Sequence, residues 1–156
     1  MEKAGILRSI PMFSGLTDSE ARIIAESMRE VNHPADTLLF EENTEGSSLY
    51  IINSGEIEIL KRIIEGKSKI VAVLKSGDFF GEMSLIDNSP RSAGARVAKD
   101  SIIYELRKED FENILNNNRD LALKVMRGIV STLCQRLRST TDQIKDKVMW
   151  GFTFKK

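Results

Sequence analysis

The chain has 156 residues, enough for one compact core and too few for two ordinary domains. With 41% hydrophobic and 29% charged residues it has a soluble globular balance, and its single cysteine, Cys134, excludes an internal disulfide framework. Formal charge sums to zero but is unevenly spread: residues 1–120 hold 15 Lys and Arg against 21 Asp and Glu, and residues 121–156 hold 8 against 2. Met1–Gly5 lacks the basic start and apolar run of a secretion signal, and no apolar stretch reaches the ~18 residues of a membrane span. A cytoplasmic protein without membrane contact is expected. The basic tail suits a solvated face or an acidic partner, and no nucleic-acid contact is expected.

In chain order, Pro11-Met12-Phe13-Ser14-Gly15-Leu16 is a turn-rich lead-in with apolar anchors. Thr17 or Asp18 then predicts an N-cap, with Glu20 placed to complete a capping box. Ala21, Ile23, Ile24, Ala25 and Met28 follow at helical spacing. From residue 31 to 107 the texture is that of short strands. The runs are Thr37–Phe40, Leu49–Ile52, Glu56–Leu60, Lys69–Leu74 and Ser101–Leu106. Asn53-Ser54-Gly55 and Ile64-Glu65-Gly66-Lys67 lie between runs as predicted hairpin turns. Such spacing predicts a closed antiparallel barrel or sandwich.

Helical periodicity returns after Lys108, with a short helix to Leu115 and a long one from about Asp120 to Val148. Along the long helix Met126, Val130, Leu133, Leu137, Thr140, Ile144 and Lys147 form a heptad-like seam. A helix of about 29 residues outruns a small barrel, so a homodimer through this C-terminal helix is expected. Packing of the seam on the chain's own barrel is the alternative.

The informative stretch is Phe79-Phe80-Gly81-Glu82-Met83-Ser84-Leu85-Ile86-Asp87-Asn88-Ser89-Pro90-Arg91-Ser92-Ala93. It reads as a strand ending at a glycine, one turn of helix, and a proline-stiffened turn that delivers an arginine. Unpaired amides at a helix start suit a phosphate. Gly81 lets backbone approach closely, and Arg91 offers a planar fork that keeps its charge. Glu82, an acceptor when ionised, suits a sugar hydroxyl. Together they point to a nucleotide. By residue chemistry alone, the plainer reading is that Glu82 and Arg91 form an ion pair that braces a loop.

The same stretch resembles the phosphate-binding cassette of cyclic-nucleotide-binding domains, the family of catabolite activator proteins, protein kinase A regulatory subunits and nucleotide-gated channels. The resemblance extends to Pro11–Leu16, to Leu49–Ile57 and to Lys75-Ser76-Gly77-Asp78. It implies a mainly β fold, an eight-stranded β-roll (double-stranded β-helix, jelly roll) with N-terminal helices and a long C-terminal helix. It also implies that Glu82, beside Gly81, accepts from the ribose hydroxyl and that Arg91 holds the cyclic phosphate. Amides near Ser84, and Ser92, would assist. The empty pocket would let Glu82 and Arg91 neutralise one another. Gln135–Thr141 is similar to the catabolite activator's dimer helix, which places Thr140 and Thr141 at the base.

The expected site is therefore Phe80, Gly81, Glu82, Met83, Ser84, Arg91, Ser92, Ala93, Thr140 and Thr141. Its ligand would be cAMP, or cGMP in second place, with no prosthetic group and no metal. The chain is expected to be one domain, 1–156. Its parts are an N-terminal helical segment 1–30, a β-roll 31–107 with the cassette at 79–93, C-terminal helices 108–148 and a tail 149–156. It would be a sensor with an unidentified downstream protein partner, and not an enzyme. The alternatives are an interaction module of the same fold that has lost its ligand, or the sensor fragment of a catabolite-activator-type transcription regulator. After Val148 too few residues follow to build a DNA-binding helix-turn-helix, so a stand-alone receptor is expected. His33, beside Pro34, reads as a surface turn residue, and Cys134 as a small buried or half-buried hydrophobe. Trp150, Phe152 and Phe154 are expected to pack back on the domain.

Overall fold

The computed structural model describes the backbone of residues 3–153 and the side chains of residues 3–151. Two helices, α1 (Lys3–Ser9) and α2 (Asp18–Ser27), flank a 3-10 turn at Pro11–Phe13. The predicted cap of α2 forms: the Thr17 hydroxyl accepts from the Glu20 amide at 3.3 Å, and the Glu20 carboxylate accepts from the Thr17 amide at 2.8 Å. Six strands follow: β1 (Arg29–His33), β2 (Leu38–Phe40), β3 (Ser48–Ile64), β4 (Lys67–Lys75), β5 (Phe79–Phe80) and β6 (Gly94–Arg107). The short helix α3 (Glu82–Asp87) interrupts them, and α4 (Lys108–Asn117) and α5 (Arg119–Thr153) close the chain.

All strand pairs are antiparallel, in the order β1-β6-β3-β4, with β2 on β6 and β5 on β3. The fold is a β-roll with flanking helices and a long C-terminal helix. Its strands number six where eight were expected, because β3 and β6 are each continuous through a bend. Asn53-Ser54-Gly55 makes no hairpin. It is a bulged stretch inside β3, where the register with β6 shifts between Ile52 and Ile57. Gly55 sits there at φ +98°, and a side chain would collide with the Ser101 hydroxyl. Splitting the two long strands at this irregularity recovers the expected number. The second predicted turn is real: Ile64 pairs with Lys67 around Glu65-Gly66. His33 is the half-buried last residue of β1, opposite Ser101, rather than part of a turn.

Two apolar clusters share these strands. One fills the roll with Ile52, Ile57, Phe80, Ala95, Val97 and Ile103. The other joins the helices to the sheet and contains Leu7, Phe13, Ile24, Leu49, Ile51, Phe79, Leu106 and Phe111. Leu121, Val125, Ile129 and Thr132 give α5 its buried stripe, at a spacing that keeps one helix face inward. Contact is closest at Gly128, where any Cβ would collide with the Met12 carbonyl oxygen. Lys124 adds an ion pair to both Glu20 oxygens, at 2.8 and 2.9 Å.

Helix α5 runs to Thr153, past the expected end at Val148. Its seam is split: Met126 and Leu133 pack on the chain's own core, while Val130, Leu137 and Ile144 are exposed. Cys134 is exposed, which corrects the expected burial. Trp150 is a largely exposed residue of α5, and the side chains of Phe152 and Phe154 lie outside the described residues. No helix among the described residues is long and apolar enough to cross a membrane.

Candidate functional site

A cavity of about 630 Å³ opens between the roll, α3 and α5. That lies within the range of small-ligand sites. Phe80, Gly81, Glu82, Met83, Ser84, Arg91, Ser92, Ala93 and Thr140 all line it. Thr141 does not: it is exposed, and its hydroxyl donates to the Leu137 carbonyl at 2.9 Å. Thr140 is on the wall, although its hydroxyl is engaged with the Arg136 carbonyl at 2.9 Å.

Local sequence explains how the cassette is built. β5 is only Phe79-Phe80, and its alternation sends one ring to each apolar cluster. Gly81 caps α3 at φ +82°, in the left-handed region. A Cβ there would lie 2.5 Å from Arg91 Nη1 and 2.8 Å from the Ser48 carbonyl oxygen. Asn88, at φ 57°, ends α3, and the Asp87 carboxylate accepts from the Ser89 amide at 3.0 Å to shape the turn before Pro90. The Arg91 backbone is then fixed on both sides: its amide donates to Thr44 and its carbonyl accepts from Asn43, each at 2.8 Å.

Arg91 is 4% exposed. Its guanidinium donates to the Gly81 carbonyl at 3.2 Å and to the Ser48 carbonyl at 3.1 Å. It also lies 4.2 Å from the Phe40 ring and 5.4 Å from the Tyr50 ring. Its Nε–H is the one fully buried side-chain polar atom without a partner among the described residues. Burial pulls the guanidinium below its usual pKa, while Tyr50, Glu82 and Glu105 oppose that shift. Burial likewise raises the Tyr50 phenol, with Glu105 adding to it. A buried cation with an unmet donor is set to receive an anion.

Glu82, 6% exposed, does not pair with Arg91. Its Oε1 accepts from Arg136 Nη1 of α5 at 2.9 Å, while Arg136 Nη2 donates to the Phe79 carbonyl at 2.7 Å. The Arg136 guanidinium also stacks 4.3 Å over the Phe79 ring. The expected mutual neutralisation of Glu82 and Arg91 is thus replaced by two separate arrangements. The two Nη groups of Arg91 donate to backbone carbonyls, and the carboxylate is met by Arg136, 54 residues later in the chain. Sequence reasoning gave Arg136 no role. The signal available was its place one helical turn before Thr140, on the same face. The far wall is apolar, with Ile59, Val71 and Leu74 from the roll and Leu133 and Leu137 from α5.

Buried guanidinium, buried carboxylate and apolar wall thus meet in one cavity, a combination chemically suited to a small amphipathic anion. Comparison with known proteins agrees: the model of the cyclic nucleotide-binding domain matches residues 30–118, more than half of the chain. The chain belongs to the cyclic nucleotide-binding domain family. It is similar to the cAMP-dependent protein kinase regulatory subunit of Aspergillus fumigatus, 32% identical over 115 residues, covering 74% of this chain and 27% of that protein. It is also similar to the Cyclic AMP receptor protein of Thermus thermophilus, 30% identical over 132 residues, covering 85% of this chain and 59% of that protein. Among solved structures, a cyclic nucleotide-binding domain from Methylobacillus flagellatus superposes with a TM-score of 0.83 at 29% identity, covering 94% of this chain and 82% of that one. The chain therefore spans about a quarter of the kinase subunit and under two thirds of the receptor.

Proposed function

We propose that this chain is a sensor whose cavity takes a cyclic purine mononucleotide, cAMP ahead of cGMP. The observation that carries this is Arg91: a buried guanidinium with an unpartnered Nε–H on the wall of a 630 Å³ cavity that also holds a buried carboxylate. The names of the relatives, a cAMP-dependent kinase subunit and a cyclic AMP receptor, support cAMP. They also favour a receptor over a catalyst.

In this reading Arg91 holds the cyclic phosphate, aided by amides near Ser84 and by Ser92. Phe80, Met83 and Ala93 shape the wall around it. The ribose 2′-hydroxyl donates to Glu82, whose carboxylate exchanges Arg136 for it in this reading. Thr140 meets the base, and Thr141, off the wall, takes no part in this placement. Exchange of Glu82 from Arg136 to the ribose gives the ligand different contacts in two placements of α5, which is the condition for a population shift. Residues 1–156 act as one cytoplasmic receptor unit. Two copies join through the exposed part of the seam on α5, and movement of that helix reaches the downstream partner.

Calorimetry on Arg91→Ala tests the reading. Loss of a hydrogen-bonded charge costs on the order of 2–3 kcal/mol, about 30- to 150-fold in cAMP affinity. Wild-type affinity in a variant with native circular dichroism overturns the assignment. Equal binding of 2′-deoxy-cAMP removes the role of Glu82.

A further inference from the structure

The tip and outer edge of the β3–β4 hairpin lie outside the cavity, which Val71, Ala72 and Leu74 line from the other face of β4. The hairpin's residues from Lys61 to Val73 are all exposed, although Ile63, Ile64, Ile70, Val71 and Val73 are large and apolar. β4 is the last strand of the sheet and pairs only with β3, so among the described residues its outer edge has no strand partner. Nine residues long, it presents a row of amides and carbonyls that could receive one more strand. An edge of this length is normally shortened, covered or bulged away. Here the bulge at Val71, between the Ile59–Ala72 and Leu60–Ile70 pairs, interrupts only its middle.

Charge selects the occupant. Residues 61–75 carry Lys61, Arg62, Lys67, Lys69 and Lys75 against Glu65 alone, within a body that is acidic elsewhere. Lys61 is neutralised by Glu42 at 2.6 Å, and the lysines of β4 face solvent. A second copy pairing edge to edge would set these lysines against one another, which like charges disfavour. An acidic strand would meet opposite charge and apolar side chains together. We infer that the outer edge of β4 is a docking site for an extended acidic segment of a partner protein, bound by strand addition with alternate apolar residues against Ile70 and Val73. The inference does not depend on which nucleotide the cavity takes.

The test uses the full chain and a capped decapeptide alternating Glu and Val, followed by fluorescence anisotropy and amide chemical shifts at physiological salt. Saturable submillimolar binding is expected, with shifts confined to residues 67–75. About tenfold weakening is expected from N-methylation of alternate peptide amides on the pairing edge, from a Lys–Val peptide, and from the Lys67→Glu/Lys69→Glu variant. Native dichroism of that variant excludes misfolding, and the two peptide controls need no variant at all. Absence of saturation, indifference to N-methylation, or shifts that map to α5 would overturn the proposal. So would peptide-free self-association that Ile70→Lys abolishes, because the occupant would then be a second copy.

Discussion

Replacing Arg136 by Ala should loosen α5 from the cassette, and the size of the effect follows from its contacts. Arg136 gives one bond to the Glu82 carboxylate at 2.9 Å and one to the Phe79 carbonyl at 2.7 Å, and stacks on the Phe79 ring at 4.3 Å. Hydrogen bonds of charged groups contribute about 1.5–3 kcal/mol each, and an exposed cation–π contact about 0.5–1. The guanidinium side chain is 38% exposed, so the lower ends apply. The loss should be about 3.5 kcal/mol, or roughly 7–14 °C in Tm for a chain of this size. Part of it comes from stranding Glu82, whose side chain is only 7% exposed. Urea unfolding of Arg136→Ala, Glu82→Gln and the double variant should therefore give a coupling of about 1–2 kcal/mol. Saturating cAMP should bring that coupling close to zero, because the ribose then holds the carboxylate. Additive single effects would refute the ion pair as a latch, and a coupling that ligand leaves unchanged would refute the exchange.

Two further outcomes are expected. The Glu20 carboxyl is held at about 2, mainly by its hydrogen bond to Lys124 and then by the Thr17 amide, against an ordinary value of 4.5. A depressed carboxylate stabilises the fold above its unfolded pKa and loses that contribution as pH falls towards 2. The stability gap between wild type and Glu20→Gln, which can keep the cap, should thus be full at pH 6 and shrink from about pH 4.5 downwards; an unchanged gap at pH 2.5 contradicts the pairing. If the seam joins two copies, sedimentation of the wild type should give twice the 17.6 kDa chain mass. Val130→Glu/Ile144→Glu, both off the cavity wall, should restore the single mass, and a monomeric wild type removes the dimer.

The cassette was legible because its chemistry is local. Strand, Gly81, one helical turn and the Pro90 turn lie within 15 consecutive residues, so spacing alone delivers Glu82 and Arg91 to one wall. The cap at Thr17 was legible for the same reason. What failed was long-range. A glycine after Asn53-Ser54 predicts a turn, but here it answers the close approach of Ser101, which no local pattern reveals. Proximity in sequence points Glu82 to Arg91, and the fold supplies Arg136 from α5 instead. Cys134 sits in an apolar pattern, yet it lies two residues past buried Thr132, on the side of α5 turned away from the buried stripe.

β5 is only two residues long, and both of its rings are buried. Phe80 stacks on Tyr50 with ring centres 5.1 Å apart, and Tyr50 lies 5.4 Å from the Arg91 guanidinium, while neighbouring Phe79 lies under Arg136. Adjacent side chains on a strand are fixed to opposite sides by one peptide unit. The contacts of the two rings therefore meet at one peptide unit, without any intervening relay of side chains. The dipeptide thus joins the floor of the pocket directly to the seat of the long helix.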